Sequence, residues 1–381
     1  MTTASPPMPE TKIPILDLGP EIEALGDEIH AAVERVLRSG QFINGPEVRA
    51  FEEEVADYLG TDHAVGLNSG TDALVIALRA LGVGPGDEVV TTPFTFFATA
   101  EAILVVGATP VFADIDARTF NLDPERVEAA ITERTKAIIP VHLFGRPAAM
   151  DDLLALAEAH DLRVVEDCAQ SFGARIGGEM TGTLGDIGAY SFFPTKTLGA
   201  YGDGGMVTTD DDALAQAARM LRAHGGKDKY YNETVGYNSR LDALQAAILR
   251  VKLPHINTYN AARRDLAVRY NAAFADLEGL VTPEVVEGHV VHQYTVRIGG
   301  GRRDAVRDAL AERGVQTMVY YPVPCHRLPV LAGQTHAPLP VAERASDEVL
   351  SLPIWPQMQA DTQERVIEAV HAAVQTNAAV S

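Results

Sequence analysis

Short apolar runs alternate with amphipathic helical stretches through the middle of this chain, and that alternation limits the fold more than any other feature. Residues 64–68, 88–92, 110–115, 136–143 and 163–167 read as strands, the last of them a buried one whose run Val164-Val-Glu-Asp167 ends in two acids. Helices are expected from Thr71 onward, through 98–106, after Pro124 and over 151–160. Repeated βα units give a mostly parallel sheet covered by helices on both faces. One segment breaks the rhythm. Residues 187–193 and 205–209 are both apolar, and only a lysine and a glycine cluster separate them, so two consecutive strands are expected there.

The flanks read differently. Ile22, Leu25, Ile29, Val33, Val36 and Leu37 recur at helical spacing up to Gly40, and a second helix after Pro46 carries Val48, Phe51, Val55 and Tyr58. A long helix bearing Leu241, Leu244, Ile248 and Val251 runs toward Pro254, which marks the passage to a second domain. The 381 residues are enough for two domains. The expected division is 1–253 for an N-terminal segment and large domain, and 254–381 for a smaller one. The smaller one is expected to hold strands at 292–298 and 316–321 and helices at 303–313 and 363–374.

Charge and cysteine content exclude several classes. A formal charge of -21 without any Lys/Arg run argues against nucleic acid, while leaving room for a small anion held by local groups. Cys168 and Cys325 stand alone, without metal or disulfide spacing, and residues 1–12 lack the basic and apolar regions of a leader. A cytoplasmic protein with no membrane partner is expected. Gly82, Gly84 and Gly86 imitate a dinucleotide loop but follow a helix and precede a strand, the reverse of what phosphate binding needs. His142 sits inside an apolar run and reads as a satisfied core histidine.

Four features remain that could carry chemistry. Lys196 follows a buried strand in Ser191-Phe-Phe-Pro-Thr-Lys196 and precedes Gly199, Gly202, Gly204 and Gly205, so it is either surface decoration or a desolvated amine fit for imine chemistry. Asp167 lies at the carboxyl end of its strand, the edge where open α/β sheets bind ligands, although a turn or cap aspartate reads the same way. Gln170 follows three residues on. Asn68-Ser-Gly-Thr-Asp-Ala73 leaves a strand and opens a helix, so the backbone N–H groups of Gly70, Thr71 and Asp72 can point at an anion; an ordinary N-cap by Ser69 or Thr71 is the alternative. Ser191 could add a phosphate contact, and Phe96 offers either a flat surface for a ring or a core side chain. Lysine, strand-end acid, phosphate cradle and aromatic face are together what pyridoxal 5'-phosphate (PLP) requires.

These segments, with Glu166-Asp-Cys-Ala-Gln-Ser171, Gly202-Asp-Gly-Gly205 and Gly236-Tyr-Asn-Ser-Arg-Leu-Asp242, resemble in order the DegT/StrS family of nucleotide-sugar aminotransferases, a likeness extending from Ile15 to Ile354. The resemblance implies a fold-type I PLP aminotransferase: a large αβα domain with a mostly parallel sheet, a smaller C-terminal α+β domain, and a homodimer with shared active sites. It also implies glutamate as amino donor and a nucleotide-linked ketosugar as acceptor. By the same resemblance Lys196 is the Schiff-base lysine and Asp167 the pyridine partner. Gln170 stands at the ring hydroxyl, Thr71, Asp72 and Ser191 at the phosphate, and Phe96 on the ring. Asn238 is implied to reach the phosphate from the other subunit. Gly202-Asp-Gly-Gly205 and Gln293-Tyr-Thr-Val-Arg297 are similar to members that aminate C3 of UDP-2-acetamido-3-keto-glucuronate, which implies substrate contacts from Arg240 and Tyr321. Tyr320 and His326 occupy positions where those members carry His and Asn. Within the fold a PLP dehydratase is the rival, but it would replace the lysine by histidine. A non-enzymatic regulator of the same fold is expected to have lost part of the Lys196, Asp167 and Asn238 set, and none is missing.

Overall fold

Seven strands line up in one sheet in the computed structural model, which describes residues 12–228 and 230–378. They are β1 (His63–Leu67), β2 (Glu88–Thr91), β3 (Thr109–Phe112), β4 (Thr135–Ile139), β5 (Arg163–Asp167), β6 (Ile187–Ser191) and β7 (Gly205–Thr209). Their order is β1-β7-β6-β5-β4-β2-β3. The five strands from β6 to β3 run parallel; β7 lies antiparallel to both β6 and β1, with Ala189 opposite Val207 and Val65 opposite Val207. The glycine cluster of 199–205 therefore turns the chain straight back, as the missing helix implied.

Side-chain alternation along each strand builds two apolar layers. Val65, Val89, Ala137, Val165, Ile187 and Val207 face the helix Gly70–Ala80, where Ala73, Leu74 and Ala77 meet them. Their neighbours Val90, Ile138 and Val164 face the other way, onto Val127, Leu153 and Ala157. Farther along the same face, Tyr190 and Met206 pack with Phe51, Val55, Ala246 and Leu249 of the helices Pro46–Leu59 and Ala243–Lys252. Helices on both faces of a mostly parallel sheet make the αβα architecture.

The C-terminal part forms its own core from the helices Ile256–Phe274, Arg303–Glu312 and Ala360–Ala378 and three antiparallel strands, β8 (Leu280–Val281), β9 (Tyr294–Ile298) and β10 (Val349–Leu352). Ile13 joins this core and bridges Val315.

Several expectations need correction. Residues 316–321 form no strand; Met318 makes one isolated bridge to Ser351, and the third strand is β10. Helices Asp212–Leu221, Ile256–Phe274 and Pro340–Glu348 were not anticipated. Pro254 sits in a short 3-10 turn, Leu253–His255, between two helices, where its missing N–H is tolerated near a helix start. Leu241 is fully buried but precedes the helix, which starts at Ala243. The leader reading concerned residues 1–12, of which 1–11 lie outside the described residues.

Candidate active site

The carboxyl ends of the parallel strands open onto one cavity of about 450 Å³, walled by Ser69, Gly70, Thr71, Phe96, Asp167, Gln170, Ser191, Lys196, Tyr320 and Tyr321 among others. Nine residues singled out from the sequence thus meet in one place, although they span 252 positions from Gly70 to Tyr321.

Asp167 is the last residue of β5, and its backbone continues the sheet by accepting from His142 N–H at 3.1 Å and donating to Pro140 O at 2.9 Å. Its buried carboxylate takes a hydrogen bond from Thr99 Oγ1 at 2.8 Å and from the Ala169 N–H at 3.1 Å. Burial raises its pKa above the ordinary value, and those two donors, with the charge of Lys196, offset the rise only in part. A donor bearing positive charge, such as a protonated pyridine nitrogen, would find a desolvated acceptor here.

Lys196 leaves a turn closed by its own N–H to Phe193 O at 2.8 Å. Its amine makes no hydrogen bond among the described residues, and crowding by protein lowers its pKa to about 8 against the attraction of Asp167. A lysine able to shed its proton near neutrality is what imine formation needs.

Ser69 caps the helix Gly70–Ala80 by accepting the Asp72 N–H on Oγ at 3.1 Å, which commits that donor and leaves the N–H groups of Gly70 and Thr71 at the head of the helix. Two glycines make the cradle possible. A Cβ on Gly70 would stand 2.5 Å from Ser191 Cβ, and one on Gly205 would fall inside the Ser69 carbonyl. Ser191 is thereby seated beside the helix start. The Asp72 side chain does not line the cavity.

Gln170 links both parts of the chain. Its Oε1 accepts the Phe144 N–H at 2.6 Å, and its Nε2 donates to Tyr321 Oη at 3.0 Å. Phe96 presents its ring to the cavity, 60% exposed, with its centroid 6.3 Å from that of Tyr321. Burial raises the Tyr320 pKa, and the neighbouring Gln293 offsets the rise only in part.

Three expected residues lie elsewhere. Asn238 and Arg240 are bonded to each other in an adjoining hollow of about 380 Å³, which shares Asp203 with the main cavity. His326 stands outside, nearly buried, with its Nε2 3.1 Å from Glu343 Oε1. Sequence reasoning missed Thr99, in the first turn of an apolar helix, and His292, just before β9; both line the cavity. His142 is buried and satisfied, as its setting suggested, with Nε2 on Glu166 Oε2 at 2.9 Å and Nδ1 accepting from Ala148 N–H at 3.0 Å. Burial alone would raise the Glu166 pKa, but His142 and the N–H groups of Gly182 and Gly185 hold the carboxylate below its usual range.

A strand-end carboxylate facing an unbonded, desolvated lysine beside a glycine-built anion cradle defines a PLP enzyme of the aminotransferase fold, and the donor set fits that cofactor. The chain belongs to the DegT/DnrJ/EryC1/StrS aminotransferase family, whose profile matches residues 23–371. It is 50% identical to a "pleiotropic regulatory protein" of Geobacillus stearothermophilus, over 94% of this chain and 97% of that one. It is 49% identical to the UDP-N-acetyl-3-dehydro-alpha-D-glucosamine 3-aminotransferase of Acidithiobacillus ferrooxidans, over 94% and 97%. It is 46% identical to the UDP-2-acetamido-2-deoxy-3-oxo-D-glucuronate aminotransferase of Pseudomonas aeruginosa, over 91% and 96%. Among solved structures, that of Streptomyces venezuelae DesV with a ketimine intermediate superposes with a TM-score of 0.93 at 47% identity, covering 96% of this chain and 99% of that one. The protein is a PLP-dependent transaminase of nucleotide-linked ketosugars. Among the described residues no helix is long and apolar enough to cross a membrane.

Proposed function

We propose that this enzyme moves the amino group of L-glutamate onto C3 of a UDP-linked 2-acetamido-3-keto sugar, with the corresponding uronate as one form of that substrate. The observation that carries the reading is the opposition of Asp167 and Lys196 across a cavity that Ser69, Gly70 and Thr71 close at one end. Bound PLP supplies an electron sink for the carbon that loses a proton. Lys196 would anchor the cofactor, and its free amine would accept and return the proton at the reacting carbons. Asp167 holds the proton on the pyridine nitrogen. Gly70 and Thr71 at the helix start, with Ser191, would hold the phosphate, Phe96 would lie against the ring and Gln170 would face its hydroxyl.

The remaining roles fall to the dimer. Asn238 and Arg240 lie next to, and outside, the cavity of their own chain, which suits residues that serve the partner's site in a homodimer. Tyr320 and Tyr321 are placed to meet the sugar, and His326 serves the same substrate from farther out. The chain is taken to divide near Pro254, so that 254–381 brings Tyr320 and Tyr321 over the large domain.

The test offers the purified enzyme and glutamate three acceptors: UDP-2-acetamido-3-keto-glucose, its uronate, and a dTDP-linked 3-keto-deoxysugar. Release of 2-oxoglutarate with either UDP sugar and not with the dTDP sugar supports the reading. Turnover with the dTDP sugar alone replaces it by the alternative, amination of a dTDP- or GDP-linked keto-deoxysugar.

A further inference from the structure

His292 lines the same cavity as Asp167 and Lys196, with no role in the scheme above. It is 7% exposed, and its backbone is pinned on both sides: its N–H donates to Phe144 O at 2.9 Å, and its carbonyl accepts from Arg263 Nη1 at 3.4 Å. The main chain that carries the imidazole is therefore fixed at the cavity wall. Yet neither ring nitrogen has a hydrogen-bond partner among the described residues, and Nδ1 is fully enclosed.

A buried polar atom without a partner costs about 1–3 kcal/mol, so such groups are kept where something else uses them. Lys196 is also unpartnered in this cavity, as is Gln293 Oε1 among the described residues, and of the two only the lysine amine is a donor; its charge is felt at His292. The charged groups that bear on the ring are Lys196 and Arg263, and Asp167 bears in turn on the lysine. Burial first, then the two cations, press the ring far below its ordinary pKa, so it stays neutral and keeps one lone pair. A neutral imidazole can accept a hydrogen bond from an amine or an ammonium without adding a charge to the site.

We propose that His292 is a positioning residue for Lys196, accepting a hydrogen bond from its amine and so fixing where the lysine holds its proton. This rests on the reading of Lys196 as the proton carrier. Asp167 alone would draw the amine toward the strand end. An acceptor at His292, in the same cavity, gives the lysine amine a second resting place besides the carboxylate. An acceptor also favours the protonated lysine, so its removal should make Lys196 more acidic.

The test uses the full-length chain without added cofactor, and needs no sugar. Lys196 is labelled with limiting trinitrobenzenesulfonate across a range of pH, and the labelled peptide is quantified by mass spectrometry for wild type, H292L and H292Q. H292M replaces H292L if thermal melting shows that H292L does not fold. The expected result is a midpoint about one pH unit lower in H292L, equivalent to roughly tenfold faster labelling below the midpoint. H292Q, which keeps an acceptor, should stay within about 0.3 unit of wild type. An unmoved midpoint in the apolar variant overturns the proposal, as does an equal shift in both variants, which would mark His292 as filling space only. Failure of the sugar-amination reading would leave these midpoints untouched.

Discussion

The Thr99 hydroxyl donates to Asp167 Oδ2 at 2.8 Å and in turn lies 3.1 Å from Thr95 Oγ1, so the strand-end carboxylate is tied to the first turn of the helix Ala98–Val105. This hydrogen bond is the chief force lowering a carboxyl that burial raises. Thr99→Val keeps the shape and removes the donor, so the Asp167 pKa should climb further. The acid limb of activity against pH should then move up by about half to one unit, with the alkaline limb unchanged. An unmoved acid limb would show that Asp167 does not set it.

Lys196 has its pKa lowered from 10.5 to about 8 by burial, with Asp167 opposing. The unfolded chain therefore binds more protons between those values, and stability must rise with pH in that window. Lys196→Met should abolish transamination and also remove this rise. Urea melts of the cofactor-free proteins should show wild type gaining on the variant between pH 8 and 10.5 and running parallel to it below pH 8.

Gly70→Ala places a methyl group 2.5 Å from Ser191 Cβ, at the mouth of the anion cradle. Either Ser191 or the helix start must shift. Cofactor affinity should fall by at least about tenfold, roughly 1.4 kcal/mol, and the thermal midpoint of the cofactor-free protein should fall as well. Fluorescence titration with PLP measures the first and differential scanning fluorimetry the second.

Gln170→Leu strips the partner from the Phe144 N–H and from Tyr321 at once. The stranded, buried amide should cost about 1–3 kcal/mol in urea unfolding, and Gln170→Glu, which keeps an oxygen acceptor for Phe144, should lose less.

If Asn238 serves the partner's site, mixing inactive Asn238→Ala and Lys196→Ala proteins should restore activity. Random pairing makes half the dimers mixed, each with one intact site, so recovery should approach about a quarter of the wild-type rate. No recovery after subunit exchange, verified by mass, would place Asn238 in its own chain's site.

Much of this was legible in the chain because the signals were local. The βα repeat, the glycine turn before Gly205 and the cap at Ser69 each depend on a few neighbouring residues. Thr99 was not legible, since an apolar helix such as Ala98–Val105 reads as core and nothing in its sequence says which hydroxyl meets a strand 68 residues away. Residues 316–321 misled because Met318, Val319, Tyr320 and Tyr321 have strand-like composition. Only Met318 pairs, in a single bridge, and the side chains of Tyr320 and Tyr321 are spent on the cavity wall. The helix Ile256–Phe274 was hidden by Pro254, whose ring suits the start of a helix as well as it ends one.

Glu166 and Asp167 are successive residues of β5, and the pleat sends one carboxylate to His142 and the hairpin around Gly182, the other to Thr99 and Lys196. One acid is held below its normal range and the other above it, across a single peptide bond. A shift of this strand by one position would exchange the two, putting the wrong acid against the cofactor while leaving composition and fold almost unchanged. Insertions or deletions of one residue between Arg163 and Asp167 should therefore be far more damaging than any substitution there, because they alter which side of the sheet does chemistry.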